Sequence, residues 1–248
     1  MCMKKNITLF MVLLAAVMMT GCSSSDDEVV RNDGSLDIEK LAQWTEAEVD
    51  VNDLYLKSHE LRNSWQEEDC DGWKITRDGR GQVTKVRFED NSRQQPPKNG
   101  EEFFAMFFDE DAAQSFRKVE PNYSANSESW IESAGDYSIS HFGFVYDENG
   151  VMTHAEGEYI PLDGFSTTPR ITEEEAIYIS CHGDIPAASV LKMSARLSVE
   201  VFPKDSIFVP RLVYTVHFRP AEGAYGCYPG VSVDAHTGKV IATYTINI

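Results

Sequence analysis

The sequence predicts an α+β fold of two small units, each with one helix packed on an antiparallel sheet. Segments rich in β-forming residues flank the turns at 78–81 and 147–150, and such pairs form hairpins. Helix-capping residues precede two hydrophobic runs, at Asn99 and Thr172. Towards the C-terminus, hydrophobic and polar residues alternate, which is typical of strands with one buried face.

The first unit begins with a charged segment and a hairpin. Residues 37–65 contain leucines and tryptophans among many charges, which predicts one or two amphipathic helical stretches. Residues 73–86 form two short strands around the turn Asp78-Gly79-Arg80-Gly81, and this pattern predicts a hairpin. Residues 119–135 are interpreted as a loop.

A helix is expected between these two regions. Asn99 is its predicted N-cap, and Glu102 occupies the third helical position, where a carboxylate supports the cap. Phenylalanines at helical spacing then form one wide apolar face, which we interpret as core rather than as a ligand site: Phe103, Phe104, Phe107 and Phe108.

A second hairpin is predicted at 141–160, and residues 161–169 are interpreted as a linker. Turns that end in glycine lead into a strand at three places, which indicates a loose repeat: Gly81, Gly150 and Gly238. Each half of the chain also holds one capped helix. The predicted division is therefore a first unit at 37–161 and a second unit at 170–248.

The second unit opens with a capped helix. Thr172 and Glu175 form a capping box, Ile171 is placed as its hydrophobic staple, and Gly183 ends the helix. The final segment, 231–246, folds back at a turn. In the strands between them one buried and one wet face are expected, with these positions buried: Leu197, Val199, Val201, Leu212, Tyr214, Val216 and Phe218.

The N-terminus has the pattern of a bacterial export signal. The basic pair Lys4-Lys5 precedes an apolar stretch at 7–19 that is too short to span a bilayer. The run Met19-Thr20-Gly21-Cys22 resembles a bacterial lipobox, which implies lipidation of the Cys22 thiol. Residues 1–21 are therefore predicted to be a lipoprotein signal peptide. The alternative is ordinary cleavage beside a chance cysteine.

The residues that follow predict a flexible lipid tether at 22–36. Its acidic start at 23–28 resembles the segment that directs lipoproteins of Bacteroidetes to the cell surface. This resemblance implies an outer-membrane lipoprotein that is exposed at the surface. An orientation towards the periplasm is the alternative.

The charge of the chain limits its partners. The formal net charge is −18, and removal of the signal takes away two lysines, which leaves −20. Such an acidic protein repels phosphate backbones, so no nucleic acid is expected as a partner. It also repels anionic lipid, so membrane contact is expected through the anchor only.

Three cysteines remain after the anchor, and an oxidising envelope allows one disulfide. Cys181 with Cys227 is the favoured pair, and Cys70 would then be the odd thiol. The alternative is that all three are buried and unpaired.

No catalytic motif, metal site or cofactor fingerprint is found in the sequence. His59-Glu60-Leu61-Arg62-Asn63 begins like a zinc-binding helix, but Asn63 stands where the second histidine would be needed. The remaining five histidines have no metal-ligand spacing. We therefore expect a protein that is not an enzyme, with no catalytic residues, no metal and no cofactor.

One segment, 146–176, resembles the prosegments of thermolysin-type metallopeptidases. In these, a hairpin ends in a stretch like Gly157-Glu158-Tyr159-Ile160-Pro161. A linker like Ser166-Thr167-Thr168-Pro169 and an acidic capped helix follow.

A later segment, 199–240, is similar to the PepSY module of the same prosegments, above all in Val233-Asp234-Ala235-His236-Thr237-Gly238-Lys239-Val240. The resemblance covers about residues 140–246, whereas 65–139 resemble the fungalysin/thermolysin propeptide motif less closely. The chain ends at Ile248, where such precursors continue into the peptidase, so we expect a free-standing prosegment-like protein.

The resemblance implies two cystatin-like units and a binding function. The expected partner is a protein, with a secreted metallopeptidase as the first candidate, and the chain would act as its inhibitor or folding assistant. An exposed sheet edge is expected to take part in the contact. The alternative is a surface lipoprotein for ligand binding or adhesion without a peptidase partner. The sequence leaves the binding residues and the oligomeric state open.

Overall fold

The structure is a computed structural model that describes residues 29–247, except 32, 90–93, 120–125, 189–190 and 221–226. The predicted signal peptide, Cys22 and the first part of the tether lie outside these residues. Two antiparallel sheets and short helices confirm the predicted α+β class. No helix in the described part is both long and apolar enough to cross a membrane.

Seven strands form the first sheet, in the order β1-β2-β3-β7-β6-β5-β4. Their bounds are β1 Gln66–Cys70, β2 Trp73–Arg77, β3 Val83–Phe88, β4 Arg117–Lys118, β5 Ser127–Ala134, β6 Tyr137–Tyr146 and β7 Met152–Glu158. Both predicted hairpins are confirmed, since β2 pairs with β3 and β6 with β7.

Three strands of this sheet are absent from the sequence predictions: β1, β4 and β5. The loop prediction for 119–135 is wrong over β5, whose sequence is mostly polar. Its inward positions include Glu132, a buried carboxylate that accepts a hydrogen bond of 2.6 Å from Ser140 Oγ. The edge strand β1 has four exposed polar residues and only Cys70 buried, so it lacks any hydrophobic alternation.

The core of the first sheet is built from aromatic residues of the predicted phenylalanine helix. This helix, α3 Gly100–Phe107, is capped by the Asn99 side chain as expected, and α4 Glu110–Ser115 follows it. Phe103 and Phe104 are almost fully buried against Phe142 and Phe144 of β6.

The second sheet has the order β11-β10-β9-β8, from β8 Leu191–Lys204, β9 Ile207–Pro220, β10 Cys227–Asp234 and β11 Val240–Asn247. The helix α5 Glu173–Ser180 packs on one face, and its predicted capping box between Thr172 and Glu175 is confirmed. Beyond its end, His182 and Gly183 have positive φ angles of 52° and 79°, which turns the chain away.

The prediction of a wet opposite face is wrong for one part of this sheet, although Arg196 and Arg219 on that face are exposed as expected. Val213 and Ile241 on that face are fully buried beneath Val49 and Leu54. The backbone of the same covering segment also bonds the edge strand β11, since Val49 N donates a hydrogen bond of 2.8 Å to Ile241 O. The covering segment comes from far away in the sequence, so local alternation could not reveal it.

The N-terminal part of the chain packs on the second sheet, although the sequence suggested that it opens the first unit. The short helix α1 Ile38–Leu41 places Leu41 in the core beside α5, and Trp44 Nε1 donates a hydrogen bond of 3.1 Å to Ile179 O. Leu36, at the end of the predicted tether, is buried in the same core. We call residues 29–54 the N-terminal strap.

The helix α2 Val51–Asn63 continues from the strap to the junction of the sheets. There Leu61, Ile160 and Phe208 form a small buried cluster. Arg62 bonds Glu158 of the first sheet at 2.6 Å and lies over the Phe208 ring of the second. Whether the units at 37–161 and 170–248 are independent domains stays a prediction.

Candidate binding cleft

An open cleft lies between α3, α4 and β5 in the first unit. Its volume is about 530 Å³, and the non-acidic residues that line it are Ala105, Phe108, Ala113, Gln114, Phe116 and Trp130. Apolar side chains thus form most of its surface. A concave apolar site with a few polar groups at its margin is the usual form of a binding site.

The floor of the cleft is held rigidly. The Phe116 ring stacks on Phe104 of the core, with ring centroids 4.1 Å apart. Trp130 Nε1 donates a hydrogen bond of 3.1 Å to Glu128, which fixes the indole ring. A Cβ atom at Gly100 would lie 2.5 Å from the same indole nitrogen, so glycine at this position lets α3 approach the floor.

The carboxylate of Glu128 joins three elements around the cleft. Besides Trp130, it accepts a hydrogen bond of 2.9 Å from Lys118 Nζ and one of 3.4 Å from the backbone N–H of Gly100. Burial of the carboxylate raises its pKa, but the hydrogen bonds from Lys118 and Trp130 outweigh burial, and the net pKa is lowered.

This lowered pKa predicts a pH-dependent contribution to stability. A carboxylate whose pKa is lower when folded stabilises fully above its unfolded pKa of about 4.3, and less as the pH falls through the folded value. We therefore expect Glu128→Gln to be less stable than the parent near pH 6, with a difference that shrinks below about pH 4.3. Urea unfolding at several pH values measures this. A difference that grows on acidification would contradict the assignment.

The rim of the cleft is acidic. Glu101 and Glu110 line it directly. The segment 100–115, which forms α3 and α4, contains five acidic and no basic residues. The cleft therefore combines an apolar floor with a negative margin.

Sequence reasoning missed this cleft, although its signals are present. The prediction that the phenylalanine run is core holds for Phe103 and Phe104, whereas Phe108 is only half-buried and faces the cleft. Trp130 lies in β5, within the segment 119–135 that the sequence predicts to be a loop. The dense acids on both sides of the run were the available indication of a surface feature.

The sheet edge expected to bind a partner is a weaker candidate. The strand β8 does lie at an edge of the second sheet. Its exposed positions include Lys192 and Arg196, and its Ala195 N–H donates to Glu173 at 3.4 Å. Charged side chains and an occupied N–H are features that blunt an edge against strand addition.

The predicted cysteine pair remains a prediction. Cys181 Sγ lies 3.5 Å from Met193 Sδ, and burial raises the pKa of this thiol. The side chain of Cys227 lies outside the described side chains. A bridge across these 46 residues should stabilise the protein by roughly 4 kcal/mol on the loop-entropy model. Mass spectrometry of non-reduced peptides tests it, and alkylated Cys181 in protein from the envelope would refute it.

The zinc-like pattern has a different role in the structure. Asn63 Nδ2 lies 2.9 Å from His59 Nδ1, so the position of a second ligand supplies an amide instead. Within the described ranges, no group of three or more histidine, cysteine, aspartate or glutamate residues is arranged to hold a metal ion.

No protein-family model and no curated protein matches the chain. Among solved structures, it is similar to the Bacillus megaterium YpeB C-terminal domain, with 14% sequence identity and a TM-score of 0.26. The match covers 82% of this chain and 100% of that domain.

Proposed function

We propose that this chain is a non-catalytic lipoprotein of the cell envelope that binds a protein partner through the cleft. The single observation that carries the proposal is the open apolar cleft with its rigid floor and acidic rim. Clefts of this kind accept an anchoring side chain of a partner, and a few such anchors dominate the energy of many interfaces.

A secreted metallopeptidase is the first candidate for the partner. The support comes from the prosegment-like features of residues 146–176 and 199–240. In that family the prosegment covers the peptidase domain and assists its folding, so this chain would act as an inhibitor or a folding assistant. Because the cleft lies in the first unit, we propose the contact there rather than at the edge strand β8.

Binding of a small ligand is the second candidate. The cleft volume of about 530 Å³ is in the range of small-molecule sites. This observation favours a surface ligand-binding lipoprotein without a peptidase partner.

The test uses the soluble chain from residue 29 onwards and the secreted metallopeptidases of the same organism. We expect slower peptide hydrolysis or a higher refolding yield of one such enzyme. Ala105→Trp fills the cleft from an exposed helical position and should abolish the effect. Leu56→Trp, on the exposed side of α2, is the matched control and should leave it unchanged.

If the parent chain affects no such peptidase, the peptidase proposal fails and ligand binding becomes the leading candidate. If Ala105→Trp inhibits as well as the parent, the partner binds elsewhere on the molecule.

The proposed anchor predicts a change in partitioning. Lipid chains on Cys22 should carry the protein into the detergent phase when the membrane fraction is extracted with a phase-separating detergent. Cys22→Ser removes the acylated thiol and should move the protein into the aqueous phase. Equal partitioning of the variant and the parent would exclude the lipid anchor.

A further inference from the structure

We propose that the cleft takes a cationic protein segment, in which an apolar side chain enters the cleft and flanking lysine or arginine residues pair with the rim. This inference rests on the proposed function and names the chemistry of the partner. Its grounds are the charges around the cleft and the shape of its floor.

The rim carboxylates are available to an incoming cation. Glu110 accepts a hydrogen bond of 3.1 Å from the neutral amide of Gln114. Glu101 is exposed on α3. Among the described residues, neither of these two acids takes part in an ion pair within the protein. Pairing with a partner would therefore break no internal salt bridge.

The other acids of α3 and α4 add to the negative field. Asp109 caps α4 by accepting a hydrogen bond from Ala112 N, and Glu102 lies 3.7 Å from Lys98 Nζ. Asp111 is exposed in the first turn of α4. These charges lie on the two helices that border the cleft, and their summed field attracts a cationic segment before contact.

Of the three described basic groups near the cleft, two are paired with carboxylates and one with a hydroxyl. Lys98 faces Glu102, Lys118 bonds Glu128 at 2.9 Å, and Arg117 donates to Ser133 Oγ at 3.3 Å. They leave the excess of acids at the rim uncancelled. A partner with acidic flanks would meet repulsion from this excess of acids.

The floor sets the second requirement, an apolar anchor. Phe108, Phe116 and Trp130 present ring surface that only an apolar side chain can cover without loss of hydrogen bonds to water. The aliphatic stems of lysine and arginine can lie along the same surface while their charged ends reach Glu101 and Glu110. Both features together select a segment with alternating or adjacent apolar and basic residues.

The test compares three peptides on the unlipidated chain of residues 23–248. The first has a central phenylalanine flanked by two lysines on each side, the second has glutamates in place of lysines, and the third has a central glycine between lysines. Dissociation constants are measured by isothermal titration calorimetry at low and at high salt. We expect the first peptide to bind about tenfold or more tightly than either other peptide, with the charge effect reduced in 1 M salt.

Neutralising the rim separates the charge effect from the apolar one. Glu101→Gln with Glu110→Gln should remove the preference for the lysine-flanked peptide over the glutamate-flanked one. Glu46→Gln with Glu60→Gln changes the net charge equally at exposed positions elsewhere and should retain it. Ala105→Trp should weaken binding of every phenylalanine peptide.

Equal binding of the lysine-flanked and glutamate-flanked peptides would overturn this inference, as would binding that the rim variant leaves unchanged. The proposed function is judged separately, because the peptidase assay with Ala105→Trp depends on the cleft and not on the sign of its charge. Loss of inhibition in Ala105→Trp without charge preference would keep the function and reject the cationic partner.

Discussion

Replacing Phe104 with alanine should lower the free energy of unfolding by about 3–5 kcal/mol, one of the two largest effects that the structure predicts. The ring is 1% exposed and packs against the rings of Phe116, Trp130 and Phe142. Its removal leaves a cavity beneath the cleft floor, and the rings around it are fixed by several elements. The surrounding side chains can therefore fill this cavity only in part, which keeps the loss of stability large.

Urea unfolding followed by circular dichroism measures this loss. Tyr55→Ala is the control, because that side chain is 71% exposed on α2 and its truncation should change stability by no more than about 0.5 kcal/mol. Equal stability of the two variants would show that α3 does not form the core of the first unit. The Phe104 variant should also weaken peptide binding at the cleft, since Phe116 loses its stacking partner.

The second large effect concerns the N-terminal strap. A fragment of residues 170–248, which the sequence marks as a complete unit, should not unfold cooperatively on its own. Without the strap, Val213 and Ile241 lose their cover on one face, and the core beside α5 loses Leu36 and Leu41 on the other. Newly exposed apolar surface on both faces lowers the burial that stabilises the four-stranded sheet, and α5 alone covers only part of one face.

Thermal unfolding and binding of a hydrophobic dye report on this fragment. We expect a broad transition and strong dye binding, and we expect a peptide of residues 29–65, added in trans, to sharpen the transition. A fragment that unfolds cooperatively without the peptide would show that the strap is dispensable.

Local patterns in the sequence predicted the elements whose signals are local. Both capped helices are correct because Asn99 and Thr172 bond backbone groups only three residues away. The two hairpins are correct for the same reason, since their turns and strands are contiguous. The strand β5 lacks the expected hydrophobic alternation. Its inward Glu132 accepts a hydrogen bond from Ser140 of β6, where a pair of hydrophobic side chains would be expected.

Contacts between distant segments could not be predicted in this way. The strap reaches the second sheet across the whole first unit in sequence, and nothing in residues 29–54 specifies which sheet they cover. The cleft depends on how α4 and β5 meet around Phe116. Hydrophobic periodicity within a single segment does not predict such a contact. Charge was the one property of the site that the sequence made visible, through the acids flanking the phenylalanine run.

The most direct test of the proposed binding function places a photo-crosslinking amino acid at Gln114, an exposed position at the margin of the cleft, in the lipoprotein expressed by its own cells. Tyr55, exposed on α2, serves as the control position. Binding in the cleft predicts a light-dependent adduct with one protein from position 114 and not from position 55, and a crosslinked peptide in which apolar residues adjoin lysine or arginine. No protein adduct from position 114, or the same adducts from both positions, would contradict it.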